Sequence, residues 1–278
     1  MTVSVSVYDL ATAQADYPAW ASQPKRTLLL CSHPRSGSTL LGESLYSTGL
    51  FGCPLEYFHR GFRPAFAERW QAPTMHSLLG AAKRYRTNPR GVFSVKIFWQ
   101  DIEDMVEELE PSLLEELRDS PNSPVVPEAY RRLHALLNTW FPQPSFIHLN
   151  RQDRVRQAIS ALVATFTRQW RSIPGQGRQH PVEEVAYDYE RILGLIAFAD
   201  RSHAHWRGFF AANSIRPYTL CYEDLIAEES PVLRSLLDQL GYTGVLPARR
   251  MQRQADPGSE KMLARFLREY LARSSVSD

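Results

Sequence analysis

Between Thr27 and Thr48 an apolar run, TLLLCS, stops at a polar turn, HPRSG, and passes at once into STLLGESLYST, a helical pattern. Few architectures accommodate a buried strand that becomes a helix within five residues. The helix must cross back over the sheet and deliver the chain to a parallel neighbour. Val92–Phe98, Phe146–Asn150 and Tyr218–Cys221 are further short apolar runs closed by polar punctuation. Helical stripes lie between them: Tyr130, Leu133, Leu137 and Trp140, then a long one from Val185 through Tyr189, Ile192, Ile196, Ala199, His203 and Trp206 to Phe210. Gly49 stands where a glycine ends the first helix. The pattern predicts an α/β chain, a three-layer P-loop-type fold with a mainly parallel central sheet flanked by helices.

A length of 278 residues suits one such domain, here read as 1–278 with a short N-terminal extension, 1–25. With 44% apolar and 22% charged residues the chain has an ordinary globular composition, and a net charge of +2 gives no reason to expect nucleic acid. Three dispersed cysteines, Cys31, Cys53 and Cys221, form neither a disulfide framework nor a zinc pattern. They predict a reducing cytoplasm and no metal. No run approaches the roughly 20 apolar residues of a membrane span, and the N-terminus does not read as a signal peptide. The acidic segment Asp101–Glu116 and the basic set Lys83, Arg84, Arg86 and Arg90 read as solvated faces.

The turn after the first strand carries chemistry. Unpaired N–H groups at a helix start, with the positive end of its dipole, favour an anion. Gly37 lets backbone approach a ligand, Ser36, Ser38 and Thr39 add hydroxyls, and Arg35 adds a guanidinium fork. Alone, the same residues are also read as a tight turn with a serine cap. The turn lacks the spaced glycines and Gly-Lys-Ser/Thr ending of a nucleoside triphosphatase loop. In FIHLNRQDRVRQAIS, Arg151 follows a strand and Ser160 lies in a helix starting near Asp153. If the two helices pack side by side, this pair grips a second phosphate. Otherwise it is a surface arginine and a helical serine.

PRSGSTLL after the first strand, with the later Arg151 and Ser160, resembles the sulfotransferases that use 3′-phosphoadenosine 5′-phosphosulfate (PAPS). RSGSTLLGESLYSTGLFGCPLEYF, VFSVKIFW, RQDRVRQAIS, HWRGFF and RQAD, in that order, are similar to the bacterial trehalose 2-sulfotransferase-like branch. The resemblance implies that Arg35, Ser36, Gly37, Ser38 and Thr39 hold the 5′-phosphosulfate and that Arg151 and Ser160 hold the 3′-phosphate. Arg253, Gln254 and Asp256 would lie in a loop covering the nucleotide. The product would be 3′,5′-adenosine bisphosphate. It further implies a homodimer and a sugar, glycolipid or other hydroxyl-bearing acceptor, the loop near 171–181 lying on the acceptor side.

Many phenol and steroid sulfotransferases place a histidine after a lysine-bearing strand. Here that strand reads SVKIFWQ, with Lys96 and no histidine. Glu56, in CPLEYF, matches the carboxylate assigned as general base in the trehalose branch, and burial among Tyr57 and Phe58 is expected to raise its pKa. A structural glutamate remains the other reading. Lys96 either contacts the sulfate or merely ends a strand. The aromatics of Tyr57–Phe66 and Phe98–Trp99 belong to the core or stack on sugar faces. His203 and His205, two apart on a helix, do not face one site. Two other functions stay open: a P-loop kinase-like phosphotransferase and a non-catalytic nucleotide-binding protein.

Overall fold

Four parallel strands, β1 (Arg26–Ser32), β2 (Val92–Phe98), β3 (Pro144–Asn150) and β4 (Tyr218–Cys221), pair in the order β2-β1-β3-β4. The computed structural model describes residues 9–118, 125–171, 182–227, 230–246, 248 and 257–275. Leu30 of central β1 stands in register with Lys96 on one side and Ile147 on the other.

Alternation along β1 sends its side chains into two cores. Leu28 and Leu30 pack with Leu41 and Leu45 of α1 (Ser38–Ser47) and with Leu233, Leu236 and Leu237 of a later helix, Pro231–Gln239. Leu29 and Cys31, with Val95, Ile97 and Phe146, face the opposite layer. There lie α3 (Met75–Arg86), α4 (Trp99–Leu109), α6 (Pro127–Trp140) and α8 (Tyr189–Ala212), after the short α2 (Arg63–Arg69) and α5 (Pro111–Leu117). The predicted three layers are present. A third apolar cluster joins α7 (Arg154–Thr167) to α8 and to the last helix, Pro257–Ser274, through Ile159, Val163, Ile192, Met262 and Phe266. Asp153 and Asp188 cap α7 and α8, accepting from the N–H groups of Arg156 and Arg191 at 2.9 Å each.

From β1 the chain moves outward to β2, and β3 then returns to the other flank of β1. The C-terminal ends of β1 and β3 therefore form a topological switch point, where α/β sheets open a crevice. The loops carrying Arg35 and Arg151 leave from those two ends.

Beyond β2, Leu55 forms an isolated parallel bridge with Val95, and its carbonyl accepts from Lys96 N–H at 3.0 Å. This seats Glu56 at the outer edge of the sheet. Two solvated faces need correction. Arg86 is fully buried, ion-paired with Asp16 at 2.8 Å and donating to the carbonyls of Leu10 and Thr12. The extension around residues 10–16 is thereby docked on the core. Asp101 and Asp104 are also buried, because side chains of the 56–63 segment meet them: His59 Nδ1 lies 2.7 Å from Asp101, and Arg60 Nε donates to Asp104 at 2.7 Å. Among the described residues no helix is long and apolar enough to cross a membrane.

Candidate active site

At the end of β1 the backbone turns sharply, with Arg35 and Gly37 both left-handed at φ 65° and 83°. For Gly37 this conformation is free of strain, and a second constraint acts on it. A Cβ there would stand 2.5 Å from Cδ2 of Tyr222, in the short helix α9 (Tyr222–Leu225). The side of Gly37 expected to admit a ligand thus carries an aromatic ring. α1 begins one residue later, so its first N–H groups open onto the turn. Ser36 is buried beneath it, its Oγ and the Pro34 carbonyl both accepting from Gln157 Nε2 at 2.9 Å.

α7 does pack beside this turn. Arg35 Nε donates to Ser160 Oγ at 2.9 Å, and Arg151 Nη1 donates to the carbonyl oxygen of Arg35 at 3.0 Å. The Arg151 guanidinium lies over the Tyr222 ring, 4.5 Å from its centroid. Glu223 holds the second turn, accepting from Gln152 and Asp153 N–H at 3.1 Å each. Two arginines, the start of α1 and the hydroxyls of Ser38, Thr39 and Ser160 therefore come together at the ends of β1 and β3, a donor set suited to a ligand with separated anionic groups.

The loop is joined to a carboxylate. Lys96 Nζ, on a fully buried side chain, lies 2.7 Å from Glu56 Oε1 and donates to Thr39 Oγ1 at 3.1 Å. Arg171 Nη2 is 3.6 Å from the other Glu56 oxygen, its guanidinium over the Phe62 ring. Burial pushes the Glu56 carboxyl up, but the charges of Lys96 and Arg171 outweigh it and hold the pKa below the usual value. The upward shift expected from burial alone is thus reversed. Burial lowers the Lys96 pKa, with Glu56 opposing.

The family model for Stf0 sulphotransferases matches residues 27–269. The chain belongs to the Stf0 sulfotransferase family. It is 28% identical to the trehalose 2-sulfotransferase of Mycolicibacterium smegmatis over 276 residues, covering 90% of this chain and 97% of that one. To the trehalose 2-sulfotransferase of Mycobacterium tuberculosis it is 27% identical over 274 residues, covering 89% and 97%. A solved sulfotransferase domain from the Synechococcus PCC 7002 olefin synthase aligns over 86% of this chain and 84% of that domain, at 18% identity and TM-score 0.32.

In this Stf0 sulfotransferase, Arg35, Ser36, Gly37, Ser38, Thr39, Arg151 and Ser160 come together, and Glu56 and Lys96 join them through Thr39. Arg253, Gln254 and Asp256 lie outside the described residues, as does the acceptor-side loop from residue 172 to 181. Sequence reasoning missed Tyr222, Gln157 and Arg171. Of these, only Arg171, first in its proline- and glycine-rich loop, carried a positional signal. It also missed the His59–Asp101 pair, whose members sit in separate segments. Burial disfavours charge on His59, but the Asp101 hydrogen bond and charge, with Glu56 and Asp104 beyond, hold its pKa above the usual value. Trp99, Tyr57, Phe58 and Phe66 are core residues, and Trp99 stacks on His205 at 4.5 Å. His203 meets His148 at 3.2 Å while His205 contacts Tyr130, so the two do diverge. Among the described residues no group of three or more His, Cys, Asp or Glu is placed to hold a metal ion.

Proposed function

We propose that this chain transfers the sulfuryl group of PAPS to a hydroxyl of a carbohydrate or glycoconjugate, trehalose being one candidate, with Glu56 as general base. The observation that carries the reading is the chain Glu56–Lys96–Thr39, which ties a carboxylate and a buried ammonium to an anion-binding turn. Family membership supports the reaction class.

Arg35, the α1 amides and the hydroxyls of Ser38 and Thr39 hold the 5′-phosphosulfate, while Ser36, buried and bound by Gln157, shapes the turn from beneath. Arg151 and Ser160 hold the 3′-phosphate, which a donor with a single phosphate site would lack. The acceptor oxygen attacks sulfur in line, and the bridging oxygen leaves with the electron pair of its S–O bond. Arg35 and the loop amides neutralise charge growing on the leaving group, with Lys96 at its bridging oxygen, so positioning and fixed cations supply most of the acceleration. The acceptor proton passes to Glu56 late. By then the new O–S bond has acidified the hydroxyl, so a carboxylate of low pKa suffices. Arg253, Gln254 and Asp256 enter this proposal, as nucleotide cover, on resemblance alone. So does a homodimeric working unit, while its single domain and cytoplasmic place are proposed from the strand–helix pattern and the dispersed cysteines.

The test is calorimetric binding of 3′,5′-adenosine bisphosphate against AMP and against ATP with Mg²⁺, on wild type and Arg151→Ala. Preference for the bisphosphate, lost in the variant, is expected. Equal or tighter binding of ATP would replace this reading with a kinase.

A further inference from the structure

Glu56, His59 and Phe62 are spaced by three along consecutive turns: His59 N–H donates to the Glu56 carbonyl at 3.3 Å, and Phe62 N–H to the His59 carbonyl at 2.9 Å. The segment is two successive turns rather than a helix, and what brings the three side chains together is what each touches. Each meets the site wall: Glu56 pairs with Lys96, the His59 ring stands edge-on to Phe98 at 5.5 Å, and Phe62 lies under Arg171. Phe98 follows Lys96 by two residues and so lies on the same side of β2. The wall beside the carboxylate therefore carries an imidazole.

That imidazole is held. Asp101, 1% exposed, accepts from His59 Nδ1 with one oxygen at 2.7 Å and from Phe98 N–H with the other at 2.8 Å. This fixes the ring and leaves Nε2 as its working atom. The His59 side chain is 30% exposed, and no described residue hydrogen-bonds Nε2.

We propose that His59, oriented by Asp101, positions the acceptor by hydrogen-bonding the hydroxyl vicinal to the one that Glu56 deprotonates. The inference rests on the sulfotransferase reading and narrows its acceptor to a vicinal diol, the pattern of a sugar ring. A hydroxyl both donates and accepts, so it pairs with neutral or protonated imidazole. His59 moves no proton in the reaction and is a positioning residue.

A purely structural role must be separated from this one. The same segment is stapled to α4 by Arg60–Asp104 and Arg63–Glu108 as well. The experiment measures acceptor kinetics at saturating PAPS for trehalose, methyl α-glucoside and their 3-deoxy analogues. The proteins are wild type, His59→Ala, His59→Gln and Arg60→Gln, with bisphosphate binding measured on each. His59→Ala is expected to raise acceptor KM about tenfold, the worth of roughly one hydrogen bond, with kcat and bisphosphate affinity nearly unchanged. It should also lose the wild-type preference for the parent sugar over its deoxy analogue. His59→Gln should recover much of both, and Arg60→Gln should match wild type. Wild-type KM and wild-type deoxy discrimination in His59→Ala would overturn the inference, as would an equal effect of Arg60→Gln. Bisphosphate binding by wild type without transfer to either sugar would also overturn it. Wild type that does not bind the bisphosphate would instead remove the sulfotransferase reading on which it rests.

Discussion

Arg35 donates to Ser160 at 2.9 Å across 125 residues of chain. The two phosphate grips implied by the sequence are one connected unit, since Arg151 in turn donates to the Arg35 carbonyl. Ser160→Ala should therefore disturb both ends of the nucleotide. Calorimetry is expected to show bisphosphate binding weakened by about tenfold in Ser160→Ala and by more than a hundredfold in Arg35→Ala, where a charged partner is lost. Unchanged affinity in Arg35→Ala would remove it from the donor site.

Glu56→Gln should keep the bisphosphate affinity and reduce kcat by about 10²–10⁴-fold, the usual share of general-base catalysis. Stopped assays with PAPS measure it, and retained turnover would exclude Glu56 as the base.

The Glu56–Lys96 pair also makes a stability prediction. Lys96→Met takes from a buried carboxylate its partner at 2.7 Å, leaving Arg171 at 3.6 Å and His59 beyond, and is expected to destabilise by about 3–5 kcal/mol in urea unfolding. Adding Glu56→Gln should recover much of that loss. Additive effects of the two substitutions would mean that the ion pair at 2.7 Å is not energetically coupled.

Tyr222 should act as a ring rather than as a hydroxyl. Tyr222→Phe keeps the surface under Arg151 and should bind the bisphosphate like wild type. Tyr222→Ala should lose about 1–2 kcal/mol of binding, the scale of a partly desolvated cation–π contact. Gly37→Ala adds a Cβ at φ 83° and 2.5 Å from that ring, and should abolish binding. Its rescue by Tyr222→Ala, read by calorimetry, would trace the effect to the ring rather than to the backbone.

Acid should unfold this protein early. Burial, with Arg154 and other cations nearby, pushes His33 and His148 down to about 4 and His203 to about 2. Unfolded imidazoles titrate near 6.5, so between pH 6.5 and about 4 the unfolded chain binds more protons and stability falls as pH falls. The slope is up to about 1.4 kcal/mol per pH unit for each histidine. Glu56, with its lowered pKa, stabilises fully above the ordinary carboxylate value of 4.5 and adds to the loss only as pH falls below it. Urea midpoints at pH 7.5 and 5.5 should therefore separate in wild type and converge partly in His203→Asn. Equal midpoints in wild type would refute the buried neutral cluster.

The strands were legible because each is a short apolar run with polar ends. β2 and β4 match the expected bounds, while β1 gains Arg26 and β3 gains Pro144 and Ser145, held by pairing with neighbours rather than by apolar content. The start of α7 was legible through Asp153. Long-range partners were not. Asp101 and Arg86 look solvated in sequence because nothing nearby opposes them; His59 and Asp16 do so only after folding. The Glu56 pKa was misread for the same reason, since one of the cations that lowers it is Arg171, 115 positions later in the chain. Tyr222 reads as an ordinary residue after a strand until Gly37 is seen against it.

The order β2-β1-β3-β4 has a consequence for synthesis. Glu56, Lys96 and the first loop emerge within the first hundred residues, but Arg151 and Ser160 arrive only when β3 docks against β1. A nascent chain at that stage holds Glu56, Lys96 and the first loop, but Arg35 still lacks its partners Ser160 and Arg151. Two-ended grip on a ligand should thus switch on in one late step, when β3 docks, and newly made, incomplete chains would hold it at one end at most.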